Sequence, residues 1–263
     1  MWGSARGADR PGAIGFTPRE DARCRIAPLS RRALYIPFLV TGFVCVAAAQ
    51  IGVGLRPSPL LERFLARSDD GPVSYRALRR MEARNQHFGA SAWMDVWTEV
   101  DPAGGFRYQV AAEGGSGYIR RRVFLAALEA EAKMWREGEP GRARLDDSNY
   151  TFRENDGLED GLASLAITPR RKDILLVEGA VFIKQDDGDL VRIEGRLSKN
   201  PSFWTRRVDI VRRYGRVAGA HVPLETESIA QVLVAGRSTF RMVYEYEMVN
   251  GVHVGDPRPR TGP

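Results

Sequence analysis

Two short stretches hold the residue types most capable of chemistry. Asp186-Asp187-Gly188-Asp189, with Glu194 beyond it, has the acid density of a calcium loop. Placing Gly188 at the loop's glycine position puts Glu194 at the closing position. Ile183 and Gln185 then fill the first two ligand positions, and isoleucine offers no oxygen. The stretch is therefore read as a hairpin turn. Gly114-Gly115-Ser116-Gly117 precedes Arg120, Arg121 and Arg122, which suggests a phosphate cradle. Its spacing fits neither the Walker pattern nor the dinucleotide fingerprint, so a strand-to-helix turn is favoured. Arginines at a helix start oppose the helix dipole and call for an acidic partner that the sequence does not identify.

No nucleophile elbow, zinc-protease helix or kinase set is present. His87, His221 and His253 lie far apart, and both cysteines, Cys24 and Cys45, fall in the first 49 residues. The expectation is a non-enzyme with no catalytic residues, no metal and no cofactor. A hydrolase built from carboxylates that meet across distant strands is the least favoured reading.

The first 49 residues also set the charge balance. Seven arginines against Asp9, Glu20 and Asp21 give them +4 of the formal +6, leaving +2 for the rest. A near-neutral, mixed-sign remainder has no electrostatic footprint for nucleic acid. Arg31-Arg32 opens onto a charge-free apolar stretch, Ala33–Leu55, with Ala47 and Ala49 in the small-x-small arrangement of a cleavage site. This is the grammar of an export signal. Ser30-Arg31-Arg32-Ala33-Leu34 also resembles a twin-arginine motif. An uncleaved anchor is the alternative, since the stretch is just long enough to span about 30 Å of hydrocarbon. The expected organisation is an export signal over 1–49, a linker over 50–72, a domain over 73–251 and a disordered tail over 252–263. The expected location is the periplasm, with anchoring to the inner membrane if the signal is retained.

Beyond the linker, where Leu60–Ala66 has the makings of a short helix, the period becomes two. Strands are expected at Tyr75–Asn85, Ala90–Val100, Phe106–Ala112, Tyr150–Arg153, Leu162–Thr168, Leu175–Lys184, Leu190–Leu197, Arg206–Tyr214, Gly219–Leu224, Glu225–Ala235 and Thr239–Asn250. Between the third and fourth, Tyr118–Glu137 is the clearest helix, capped by Ser116 and stopped by Gly138 and Pro140. Its apolar residues at helical spacing are Ile119, Val123, Ala126, Ala127, Ala130 and Met134.

The C-terminal half resembles a known family. The residues concerned are Thr168-Pro169-Arg170-Arg171-Lys172, Val191-Arg192-Ile193-Glu194-Gly195-Arg196, Lys199-Asn200-Pro201-Ser202-Phe203-Trp204-Thr205, Arg212-Arg213-Tyr214 and Val222-Pro223-Leu224-Glu225-Thr226-Glu227-Ser228. They are similar to the LolA-like, outer-membrane lipoprotein-sorting-like superfamily of the bacterial envelope, with the likeness running over roughly 73–251. The resemblance implies an α+β fold, mainly antiparallel: a strongly curved open half-barrel sheet of about ten strands with one long amphipathic helix on its concave face. It implies an apolar hollow that takes a lipid or an acylated protein as partner. The apolar faces nominate Met94, Val96, Ile119, Val123, Ala127, Met134, Val181, Ile183, Val191, Ile193, Phe240, Met242, Tyr244 and Tyr246 as lining residues. The expected function is an exported, non-enzymatic lipid or lipoprotein carrier whose membrane association is transient. The alternative is a membrane-tethered envelope sensor or interaction module that binds a protein partner.

Overall fold

The computed structural model describes residues 58–66, 71–138 and 140–261. The export signal and most of the linker lie outside them. Among the described residues the elements are helix α1 (Pro59–Ala66), strands β1 (Tyr75–Asn85), β2 (Ala90–Asp101) and β3 (Gly105–Gly115), helix α2 (residues 117–136), then β4 (Tyr150–Glu159), β5 (Leu162–Pro169), β6 (Val177–Ile183), β7 (Leu190–Leu197), β8 (Thr205–Val217), β9 (Ala220–Val232), β10 (Gly236–Val249) and the short β11 (Val252–His253). All strands belong to one antiparallel sheet ordered β3-β2-β1-β10-β9-β8-β7-β6-β5-β4, with β11 added to β10.

This order explains the place of the helix. Each strand pairs with its sequence neighbour except at two points. β1 pairs with β10, and the chain must pass from β3 at one edge to β4 at the other. That single long connection crosses the face of the sheet, and α2 is most of it. β3 and β4 do not pair, so the sheet is open.

Helix α2 begins where Ser116 accepts the Ile119 N–H and ends where Gly138 adopts a positive φ of 70°. The acidic partner for its first turn is Glu113 of the preceding strand, which binds Arg120. A Cβ at Gly115, whose φ is 78°, would strike the Ser91 carbonyl, so this glycine serves a close approach to β2. The middle of the helix departs from expectation: Arg120–Leu125 is a π-helical turn. An i→i+5 turn rotates everything after it relative to a 3.6-residue repeat. The buried positions are Ile119, Phe124, Leu128 and Ala132, a first step of five and then steps of four, whereas Val123 is 38% exposed.

Two packed clusters flank the middle of the sheet. One joins α2 to β1, β2 and β3 through Met81, Met94, Val96, Phe106, Phe124 and Leu128. The other joins α1 to β4–β7 through Leu60, Phe64, Tyr150, Leu165, Leu176, Val181 and Ile183. Helix α1, expected within a linker, is thus part of the core. Phe64 meets Phe152 edge-on, with ring centroids 5.9 Å apart.

Three further expectations are corrected. The fourth strand was expected only over Tyr150–Arg153. It runs on to Glu159, because its edge tolerates the irregularity between Glu154 and Leu158. The two strands expected over Gly219–Leu224 and Glu225–Ala235 are one, β9. Arg213 pairs with Glu225 and Tyr214 with Pro223, leaving Leu224 as the extra residue of a bulge. Proline sits in a sheet at such bulges. The tail expected to be disordered is bound along the sheet as far as the described residues extend. The Arg260 N–H donates to buried Asp95 at 2.7 Å, its guanidinium meets Glu82 at 2.6 Å and stacks over Trp93, and the Arg258 carbonyl accepts from Arg80. Composition predicted disorder because it ignores where a few charged side chains find partners.

Candidate functional site

Between the two clusters the sheet and helix do not meet, and a cavity of about 730 Å3 lies there. That volume falls within the range of small-molecule sites, ~300–1,000 Å3. Its floor comes from alternate residues of adjacent strands, as period-two geometry requires. β8 supplies Val208, Ile210, Arg212 and Tyr214, β10 supplies Phe240, Met242 and Tyr244, and β1 supplies Tyr75, Arg79 and Met81. β7 adds Ile193 and Leu197, and β9 adds Thr226 and Ser228. The Leu224 bulge changes the parity of β9, so that Pro223 also faces the cavity. The roof is the C-terminal half of α2, with Ala127, Ala130, Glu131 and Met134, and the segment holding Ile174 and Leu175 closes one side.

The nominated residues divide by position. Ala127, Met134, Ile193, Phe240, Met242 and Tyr244 lie on the cavity wall. Met94, Val96 and Ile119 are inside the cluster at the β1–β3 end, and Val181 and Ile183 inside the other. Val123 faces outward, for the reason given by the π turn. Val191 is the extra residue of a bulge in β7, since Phe182 pairs with Arg192 and Ile183 with Leu190, and it is not on the wall. Tyr246 is buried in a third cluster with Ala77, Val222 and Val249, where its hydroxyl donates to the Pro223 carbonyl at 2.7 Å.

Apart from Tyr244, the polar part of the wall was not nominated. Arg79 is 2% exposed and lies on β1 directly opposite Tyr244 of β10. Its guanidinium donates to both carboxylate oxygens of Glu131 at 2.6 and 2.9 Å and to the Tyr75 hydroxyl at 2.7 Å. It also stacks over Tyr244 and Phe106, 4.9 and 5.1 Å from their ring centroids. Burial opposes its charge, but Tyr244, Tyr75 and the Glu131 carboxylate outweigh burial and hold it protonated. Burial pushes the Tyr75 phenol up to about 12, with Arg79 pulling the other way. Burial raises Tyr244 as well, against the same opposing pull. Arg212 projects from β8 in the row Val208, Ile210, Arg212, Tyr214. Tyr214 chiefly, with help from Tyr244 and Glu131, keeps it charged against burial. That alternation of two aliphatics, an arginine and a tyrosine is the sequence signal that would have found it.

The remaining wall carboxylates are committed. Asp173 meets Arg142 at 2.7 Å, and Glu137 meets Lys133 at 3.6 Å. Burial alone would raise the Asp173 carboxyl. The Leu175 N–H and Arg142 more than offset it and hold the group below the usual carboxylate range. Away from the cavity, the Asp-rich turn has the form of a plain hairpin. Asp189 takes two 2.6 Å hydrogen bonds from Arg216, and Asp187 accepts the Asp189 N–H. Among the described residues no group of three or more His, Cys, Asp or Glu is arranged to hold a metal ion. No helix of the described residues is long and apolar enough to cross a membrane.

No family model matches the chain, and no curated protein matches its sequence. Two solved structures are similar to it. A LolA superfamily protein of Nitrosomonas europaea is 10% identical, with 76% of this chain and 93% of that one covered and a TM-score of 0.35. A DUF1329 family protein of Desulfovibrio piger is 13% identical, with 71% and 91% covered and a TM-score of 0.35. At that distance the functional conclusion rests on the cavity itself.

Proposed function

We propose that this protein is a non-enzymatic carrier that holds the acyl chain of a lipid or an acylated protein between sheet and helix. One observation supports this above all. The middle of the sheet presents Val208, Ile210, Ile193, Leu197, Phe240 and Met242 to a cavity that opens between the edges of the two packed clusters. Two well-packed clusters stand on either side, so the chain has apolar residues enough to fill such a gap elsewhere. An acyl chain entering the gap removes its methylenes from water at roughly 0.8 kcal/mol each, so eight buried methylenes contribute about 6 kcal/mol before the cost of association. Methionines at Met81, Met134 and Met242 give the wall side chains that adapt to chains of differing length. Export to the periplasm through the Arg31–Ala49 signal belongs to the same proposal, as does the LolA-like, half-barrel character of the sheet.

The test is native mass spectrometry, with lipid extraction, of protein purified from its natural host. An acylated species that co-purifies and occupies the protein at near one-to-one stoichiometry is expected. Protein that emerges empty and takes up no fatty acid on incubation contradicts the proposal.

A further inference from the structure

The described charges on the cavity wall leave one guanidinium without a carboxylate. Among the described residues four cations and three carboxylates line it, and three ion pairs engage six of the seven: Arg79 with Glu131, Lys133 with Glu137, and Arg142 with Asp173. Arg212 is left over. Among the described residues no carboxylate lies within ion-pair distance of it, and its Nε is buried without a hydrogen-bond partner. Glu131 is within electrostatic reach but both its oxygens are already bound to Arg79, so Arg79, Arg212 and Glu131 together carry one more positive charge than negative.

A guanidinium set between Val208, Ile210 and the phenol of Tyr214, with its Nε unpartnered and no carboxylate paired to it, is a buried charge that its neighbours compensate only in part. It becomes an asset when a ligand brings the missing charge, because its planar fork matches a carboxylate or a phosphate. Its setting also fixes direction. Val208 and Ile210 precede it on the same row of β8, and Tyr214 follows, with Tyr244 of β10 nearby. An acyl chain lying over Val208 and Ile210 brings its head to Arg212, with the two phenol groups as further donors. Resting on the carrier reading, we infer that the cavity selects lipids with an anionic head group and that Arg212 is the residue that binds that head.

The experiment compares four probes on the full-chain protein and on the variants Arg212→Met and Arg212→Lys: hexadecanoate, hexadecyl phosphate, hexadecanol and inorganic phosphate. Circular dichroism and thermal melting check that each variant is folded. The natural protein should bind the two anionic lipids about tenfold or more tighter than hexadecanol, the advantage expected of a charge-assisted hydrogen bond. Arg212→Met should lose that preference, its affinity falling far more for the two anionic lipids than for hexadecanol, and Arg212→Lys should keep part of it. Equal affinity for hexadecanoate and hexadecanol in the natural protein overturns the head-group assignment and leaves the carrier reading standing. So does a preference that survives Arg212→Met. Inorganic phosphate binding as tightly as hexadecyl phosphate assigns Arg212 to a free anion and overturns the lipid assignment. Binding of no lipid at all overturns both.

Discussion

Arg79 and Glu131 join the floor of the cavity to its roof, with two hydrogen bonds of 2.6 and 2.9 Å between a strand arginine and a helix carboxylate. Arg79 is almost fully buried, whereas the Glu131 side chain is 29% exposed. The arginine therefore depends on the glutamate more than the reverse. Replacing Glu131 with leucine should cost about 3 kcal/mol, the low end for stripping a buried charge of its partner. The double change Arg79→Met with Glu131→Leu should recover most of that, since apolar residues of similar size often replace a buried pair at little cost. Urea denaturation of the four proteins forms a double-mutant cycle. A coupling energy near zero would show that the pair does not hold helix to sheet.

The π turn gives a prediction that a regular helix does not. Phe124 is fully buried against Phe240, with ring centroids 6.1 Å apart, while its neighbour Val123 is 38% exposed. Phe124→Ala should destabilise by about 3–5 kcal/mol, and Val123→Ala by less than about 0.5 kcal/mol. The reverse order in thermal or urea unfolding would mean that the helix keeps a 3.6-residue phase from Ile119 onward.

Alkaline pH should unfold the protein early. Burial raises the phenol groups of Tyr75, Tyr150, Tyr244 and Tyr246, and Tyr75 reaches about 12. A raised value means that the folded state holds its proton more tightly than the unfolded one. The stability this contributes is complete below the unfolded value of about 10 and is lost as pH climbs from about 10 toward 12. Urea midpoints should therefore be level up to about pH 9 and fall beyond about pH 10. Ultraviolet titration should show a subset of tyrosines ionising only as the fold is lost. Midpoints that stay flat through that window would contradict it.

The C-terminal segment is a structural part of the sheet. Asp95 is fully buried and takes the Arg260 N–H at 2.7 Å beside Arg80 at 3.1 Å. Truncation after His253 removes one of these partners, and it should cost about 1–3 kcal/mol. It should also shift Trp93 emission, since Arg260 lies 5.0 Å over that ring. A truncated protein as stable as the full chain would show the contact to be incidental.

Much of this architecture could be read from residue order, and the failures have specific causes. Period-two alternation placed most of the long strands, while β4 was read short and β9 as two. β10, with Phe240, Met242, Tyr244 and Tyr246 on one side, is the clearest case. The helix was legible from its composition and its Ser116 cap, but not its buried phase, because a π turn leaves no pattern in the residues that form it. Bulges were equally silent. Val191 and Leu224 look like regular strand residues, yet each is the extra residue that changes which neighbours face inward. The cavity wall depends on which distant strands share a face, and that follows from β1 pairing with β10, a contact across more than 150 residues. Arg79 and Arg212 were missed because an arginine in a strand is ordinarily read as the solvent side.

The most direct test of an acyl-binding cavity is a titration of the full-chain protein with a fluorescent fatty acid, such as a conjugated polyene acid, beside the variant Ile210→Trp. Ile210 lies on the cavity floor between Val208 and Arg212, and an indole there fills space the chain would occupy. Saturable one-to-one binding by the natural protein is predicted, weakened about tenfold or more in a variant that still melts cooperatively. No saturable binding by the natural protein, or equal binding by a folded Ile210→Trp variant, would contradict the account.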